Sequence, residues 1–297
     1  MPTIYSNIDR NKRETVIIMF LFILVISAIG WVFGEIFDPG YGTTYLAFAL
    51  IFSGISGILS YYNSDKIVLA ISGAKEVTYE QSPYLHGLVE NLCIASGLPK
   101  PRIYMINDTA MNAFATGRDP EHAVICFTSG IVDGLEKHEL EGVVAHELSH
   151  IQNFDIRLMS IVSILVGTIT LLADWFTRGM FYGGRGRSRK ESSAGAMLLI
   201  LGILLLILSP IIATLIKLAI SRNREFLADS SAALITRYPD GLANALRKLA
   251  ADHEVLEAAN GATAHMYISN PLKTGNLANL FSTHPPIEER IKRLEEM

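Results

Sequence analysis

His146-Glu147-Leu148-Ser149-His150 forms an H-E-x-x-H string, and its residue types are those that hold a divalent metal and activate water. If the segment is helical, four residues advance the chain by about 400°, so both histidines project from one face, about 6 Å apart along the axis. Their ring nitrogens can then share one zinc ion. Glu147 points beside them and can accept a proton from a water whose pKa the ion lowers. The bland alternative is a helix carrying three solvated polar residues. The spacing of Leu140, Val143, Val144, Leu148 and Ile151 predicts an amphipathic helix from Leu135 to Asn153, which favours the metal reading. The neighbouring His138-Glu139-Leu140-Glu141-Gly142 has Gly142 where the second histidine would stand and reads as an exposed helix start.

A catalytic zinc needs a third protein ligand and an open position. The extended H-E-x-x-H-x-x-G-x-x-H pattern fails, because Asn153 and Ile156 occupy its glycine and histidine positions. The best candidate elsewhere is Glu225, in S-R-N-R-E-F-L-A-D over residues 221–229. Glu225 and Asp229 are four apart and share a helix face. Asp229 can accept a hydrogen bond from the outer nitrogen of a ligand histidine and fix its orientation. On spacing alone, an Arg/Glu/Asp salt network on a helix surface explains the stretch equally well.

The elements that must position these residues are partly in lipid. The chain has 297 residues, 50% hydrophobic and only 18% charged, with mean hydropathy +0.32. A soluble domain carries about 25% charged residues. Net charge is −4, which offers no electrostatic footprint for nucleic acid. Cys93 and Cys126 read as buried thiols rather than a disulfide framework. Charge-free windows locate four apolar segments: Thr15–Gly34, Pro39–Ser64, Leu158–Ala173 and Ser192–Ile216. The third is shorter than the about 17–25 residues of a span. The first reads as a retained anchor. Tyr41, Tyr61 and Tyr62 suit the interfaces at the ends of the second. Pro210 predicts a kink in the fourth. Arg10, Lys12 and Arg13 place the N-terminus in the cytoplasm, and two crossings return the chain there near Asp65. The basic link carrying Arg178, Arg185, Arg187, Arg189 and Lys190 opposes a full third and fourth crossing. Both arrangements stay open, with full spanning preferred.

The chain thus divides into an anchor (1–64), a first polar half (65–157), an apolar hairpin (158–216) and a second polar half (217–297), the two halves forming one domain. Within them, Tyr79–Ser96 is predicted helical, Arg102–Ile106 and His122–Phe127 are β-rich, and Asn112–Thr116 is a weaker strand. Helices are predicted from Pro210 through Thr236 and from Gly241 to Ala259, followed by a loop to Pro286 and a short amphipathic helix from Ile287. The fold class is mainly α with a small β-sheet, in an integral membrane protein. Arg157 follows His150 by about 10 Å of helix, which puts the site near the bilayer surface.

Two N-terminal spans, H-E-x-x-H directly before an apolar hairpin and E-x-x-x-D directly after it resemble the HtpX family of membrane zinc endopeptidases, relatives of the CAAX prenyl-peptidases. The resemblance covers nearly the whole chain. It implies a gluzincin-like zinc peptidase domain on the cytoplasmic side of the cell (inner) membrane and one zinc ion per chain. His146, His150 and Glu225 are the implied ligands, with Glu147 as general base and Asp229 orienting a ligand imidazole. It implies His284, in Phe281-Ser282-Thr283-His284-Pro285-Pro286, as a donor to the developing oxyanion. It also implies Asn112-Ala113-Phe114-Ala115 as an exposed strand edge that holds a substrate backbone. The partners so implied are membrane-protein substrates and the bilayer, in quality control and stress response. A prenyl-protein peptidase, a silent zinc-bearing scaffold and a transporter are the competing readings. Four spans, retained Glu147 and charge-free spans weigh against them in turn. His86, His122, His253 and His265 have no comparable context and read as surface or core residues.

Overall fold

The computed structural model describes residues 4–183, 222–271 and 285–297. Two long apolar helices open the chain, α1 (Ile4–Phe37) and α2 (Gly42–Tyr62). Among the described residues these are the two helices long and apolar enough to cross a membrane unaided. Val16, Phe20, Leu24 and Trp31 on α1, and Phe48, Ile51, Ile55 and Ile58 on α2, lie exposed. Such a surface is stable in hydrocarbon, where a helix also satisfies its own backbone. The two helices approach closely at Gly30, where a Cβ would lie 2.5 Å from that of Ala49.

A short helix α3 (Ser64–Ile71) leads to a four-stranded sheet: β1 (Lys75–Glu76), β2 (Arg102–Ile106), β3 (Ala113–Thr116) and β4 (Val124–Thr128), in the order β1-β2-β4-β3. The inner pair β2/β4 is parallel, with Ile103 opposite Ile125, and both outer strands pair antiparallel. β2 falls where the sequence predicts it. β4 starts two residues later than expected, because Pro120–His122 forms a 3-10 turn whose His122 N–H donates to the Asp119 side chain. Helix α4 (Pro83–Ser96) begins at Pro83 rather than Tyr79, since proline is at home in a first helical turn. Cys93 and Cys126 are buried and unbridged.

After α5 (Ser129–Gly134), helix α6 (Lys137–Gln152) carries the H-E-x-x-H string. Its first turn is closed by a capping box in which the Glu136 N–H donates to Glu139 Oε2 at 2.7 Å. Glu139 also receives Lys248 Nζ at 2.7 Å and is buried. Only His138 of the predicted exposed pair therefore faces solvent. From Gly142 through Ile151 every residue of α6 is buried. The helix is not amphipathic in place, and the reading of three solvated polar residues is excluded.

The next helix, α7 (Asp155–Gly183), starts before Arg157 and leaves α6 at 83°. Its Leu158, Ile161, Val162 and Leu165 pack on Ile18, Phe22 and Ile26 of α1. The chain from residue 184, with the fourth apolar segment and Pro210, lies outside the described residues up to 221. Helices α8 (Arg222–Thr236), α9 (Pro239–Ala251) and α10 (Ile287–Glu295) follow. α9 stops eight residues short of the expected Ala259. The Asp252 carboxylate instead accepts the N–H groups of Met111 at 2.8 Å and Glu254 at 2.9 Å. These bonds reward an extended backbone over another helical turn.

One core joins both polar halves. Leu85 and Val89 of α4, Ile125 and Phe127 of β4, Val143, Val144 and Leu148 of α6, Leu242 and Leu246 of α9, and Leu294 of α10 form one buried cluster. Gly142 is the point where α6 meets α9, since a Cβ there would lie 2.6 Å from the Leu242 nitrogen. Gly142→Leu should therefore destabilise the protein by ~1–3 kcal/mol through overpacking. At Gly87, where a Cβ meets nothing within 4 Å, alanine should be neutral or stabilising by up to ~1 kcal/mol. Thermal unfolding of the two variants in detergent checks the contrast.

Candidate metal centre

His146 and His150 are one turn apart on α6, and Glu225 faces them from the first turn of α8. The His146 and His150 Nε2 atoms are 3.1 Å apart. Glu225 Oε2 lies 3.8 Å from His146 Nε2, and Glu225 Oε1 lies 3.6 Å from His150 Nε2. These are the only three such groups among the described residues gathered closely enough to hold a metal. Three corners of a tetrahedron with zinc–ligand bonds of about 2.0–2.1 Å are about 3.3–3.4 Å apart. The donor set, two imidazoles and a carboxylate, is one that catalytic zinc uses.

The charge balance fits as well. Glu147, Asp155, Glu225 and Asp229 are buried around the site, against buried Arg224 and Arg290. The buried carboxylates outnumber the guanidinium groups, and Arg224 is shared with Glu14, so the surroundings favour a cation between the imidazoles. Burial pulls the His150 imidazole down, but the Asp155 hydrogen bond and the Glu225 charge outweigh it and hold it up at about 9. His146, which also faces Arg290, is lowered by its burial. The pocket thus favours positive charge at the His150 imidazole.

Glu147 extends beside the pair. Burial pushes its carboxyl up to about 7, and the Ala115 backbone N–H donates to it. Its Oε2 is buried with no hydrogen-bond partner among the described residues. A buried carboxylate oxygen with no donor is costly, and a water or substrate group that gives up a proton relieves that cost.

Each of the two imidazoles has an outer carboxylate. Asp229 Oδ1 lies 3.0 Å from His146 Nδ1, where the sequence reading puts it. His150 Nδ1 lies 3.0 Å from Asp155 Oδ2, a partner the sequence reading missed. Arg290 of α10 was also missed. It donates to both Asp229 oxygens, at 2.9 Å from Nε and 2.7 Å from Nη2, and to the Ile268 carbonyl at 3.2 Å. Burial alone would raise the Asp229 carboxyl; the Arg290 guanidinium and the His146 hydrogen bond hold it well below the usual carboxylate range. The one signal in the sequence was a cation at the apolar positions of an amphipathic helix, alongside Ile287, Ile291 and Leu294.

β3 ends the sheet, as the substrate-edge reading requires, but its edge is not exposed. Ala113, Phe114, Ala115 and Thr116 are all buried. The Ile268 N–H donates to the Ala113 carbonyl at 3.0 Å, and Asn112 Nδ2 donates to the Ser269 carbonyl at 3.1 Å. The Phe114 ring meets Tyr267 edge-on at 5.0 Å. An edge strand leaves backbone groups that need partners, and the chain's own 267–269 stretch supplies some of them. His284 lies outside the described residues. His265 is a core residue, with Nε2 3.4 Å from Ser163 Oγ and 3.3 Å from the Met159 carbonyl.

Comparison with known proteins places the whole chain among peptidases. The model of peptidase family M48 matches residues 80–297. A protease HtpX homolog of Dictyoglomus thermophilum is 45% identical over 99% of this chain and 95% of its own length. Homologs of the same name from Caldanaerobacter subterraneus and Streptococcus uberis are 45% and 40% identical, each over 99% of this chain and 98% and 100% of theirs. The crystal structure of S. mikatae Ste24p has a similar fold, with TM-score 0.53 and 21% identity over 96% of this chain and 67% of that one.

Replacing Arg290 by methionine strands Asp229 and Glu225 as buried charges, and should destabilise the protein by about 3–5 kcal/mol. Arg290→Lys should recover only part of this, because a point charge cannot fork onto both Asp229 oxygens. Thermal denaturation at pH 7 measures both. Because Asp229 is depressed, its contribution is complete above the unfolded pKa of about 3.9 and is lost only as the pH falls below it.

Proposed function

The chain belongs to peptidase family M48 and is a membrane metalloprotease, and from that premise we propose that it is a zinc-dependent endopeptidase cleaving misfolded or damaged membrane proteins at the cytoplasmic face. The observation that carries this reading is the meeting of His146, His150 and Glu225, at tetrahedral spacing, beside an unpartnered Glu147 oxygen.

In this reading His146 Nε2, His150 Nε2 and a Glu225 oxygen hold the ion. When bound, zinc supplies Lewis-acid chemistry, polarising the scissile carbonyl and making water more acidic. Glu147 takes the water proton on its free carboxylate oxygen and passes it to the amine nitrogen of the departing peptide. Its carboxyl at about 7 is poised both to accept and to return that proton. Asp229 keeps the His146 ring turned so that Nε2 faces inward. His284 donates to the carbonyl oxygen as charge builds there, a role taken from the resemblance alone. The substrate lies extended along Asn112-Ala113-Phe114-Ala115, replacing Ile268 on the Ala113 carbonyl. Main-chain pairing of this kind asks little of the substrate sequence, which suits a protease for damaged proteins.

The cytoplasmic placement rests on Arg10, Lys12 and Arg13 ahead of α1. The substrate class rests on location: Asp155, the first residue of α7, touches the ligand His150, so the site sits where an apolar helix begins. The proposed division is a membrane anchor over 1–64, an apolar hairpin over 158–216, and one catalytic domain from 65–157 and 217–297.

Purified in detergent, the Glu147→Gln variant should keep one zinc per chain and lose casein cleavage by roughly 10²–10⁴-fold. Cleavage that survives removes Glu147 as the base. Glu225→Ala should lose the zinc itself, and a retained full equivalent rejects that ligand.

A further inference from the structure

The first turns of α1 do more than lead into the membrane. Asn11 is 1% exposed, and a buried amide is costly on a helix that serves only as an anchor. Its Nδ2 donates to the Asn153 carbonyl at 2.9 Å and to Asp155 Oδ1 at 2.6 Å. The other Asp155 oxygen is the one that meets His150 Nδ1 at 3.0 Å. One turn further along α1, Glu14 Oε2 accepts from Arg224 Nη2 at 2.6 Å, and Arg224 Nε lies 3.7 Å from Asp155 Oδ1. Arg224 directly precedes the ligand Glu225. α1 therefore grips both ligand-bearing elements: the end of α6 through Asn11, and the start of α8 through Glu14.

The grip falls on a strained corner. Between α6 and α7, Phe154 adopts φ 60°, a left-handed conformation that a bulky residue keeps only when its surroundings enforce it. Lys12 Nζ stands 4.5 Å from the centre of the Phe154 ring, and the Arg157 guanidinium 4.9 Å from it. This corner brings Asp155 back under His150.

We infer that Asn11 and Asp155 are positioning residues for the metal ligand His150, so that the membrane anchor itself completes the metal site. The chain of causes is short. Asn11 fixes Asp155; Asp155 accepts the Nδ1 proton of His150; that proton commits the lone pair of Nε2 to the metal. The inference rests on the zinc reading above. It adds that zinc affinity depends on a residue outside the catalytic domain.

The test measures zinc affinity of the full-length protein in detergent by competition with a chromophoric chelator, alongside the melting temperature of each metal-free variant. Asp155→Asn should weaken zinc about 10–100-fold and Asn11→Ala about 3–10-fold, as losses of ligand-orienting partners do. The double variant should bind no more weakly than Asp155→Asn alone, because both residues act through one path. Should Asp155→Asn not fold, Asn11→Ser, which shortens the donor, should show the same several-fold loss as Asn11→Ala. An Asn11→Ala protein that melts lower yet binds zinc like the wild type overturns the inference, since Asn11 then serves folding alone. Additive losses in the double variant overturn it too. A wild type that binds no zinc refutes the zinc reading instead.

Discussion

Burying four carboxylates and two imidazoles around one point is the constraint from which the rest of this structure follows. Charges taken out of water cost several kcal/mol each unless they are paired. Here the pairing is shared among distant parts of the chain. α6 brings the imidazoles and Glu147, α8 brings Glu225 and Asp229, α10 brings Arg290, and α7 and α1 bring Asp155 and Asn11. No single element could satisfy this set, so the site and the tertiary fold form together. The surplus of buried carboxylates over guanidinium groups is the electrostatic reason for a cation at their centre.

The same constraint explains the surroundings. α6 is enclosed by the sheet, α4, α8 and α9, which excludes water and strengthens each electrostatic contact. Gly142 lets α9 close over it. The sheet buries Ile103, Ile125 and Phe127 in that core and delivers β3 next to Glu147, whose carboxylate accepts the Ala115 N–H. The proposed base and the strand proposed to hold substrate are thus fixed to each other. Residues 267–269 cover β3 in this structure, and in the proposed reading they give way when a substrate strand pairs there.

What could be read from the sequence was local. H-E-x-x-H declares its geometry through helical period alone, and α1 and α2 announce themselves by long charge-free windows. Glu225 and Asp229 share a face by spacing, but only the resemblance singled them out from an ordinary salt network. Arg290, Asp155 and Asn11 escaped because their meaning lies in which buried charge each one meets, and sequence distance hides that: Arg290 and Asp229 are 61 residues apart, Asn11 and Asp155 144. The expected helix beyond Ala251 failed for a related reason, since tertiary bonds to Asp252 beat local propensity. The exposed edge predicted for Asn112–Ala115 failed because its partner, residues 267–269, lies far along the chain. The relation of the site to the membrane was legible only as far as α7 begins.

Zinc K-edge X-ray absorption on the full-length protein purified in detergent tests the central claim most directly. The account predicts one zinc per chain with two imidazole nitrogens and carboxylate oxygen at about 2.0–2.1 Å. Sulfur scattering at about 2.3 Å, or an ion bound by fewer than two imidazoles, would contradict it.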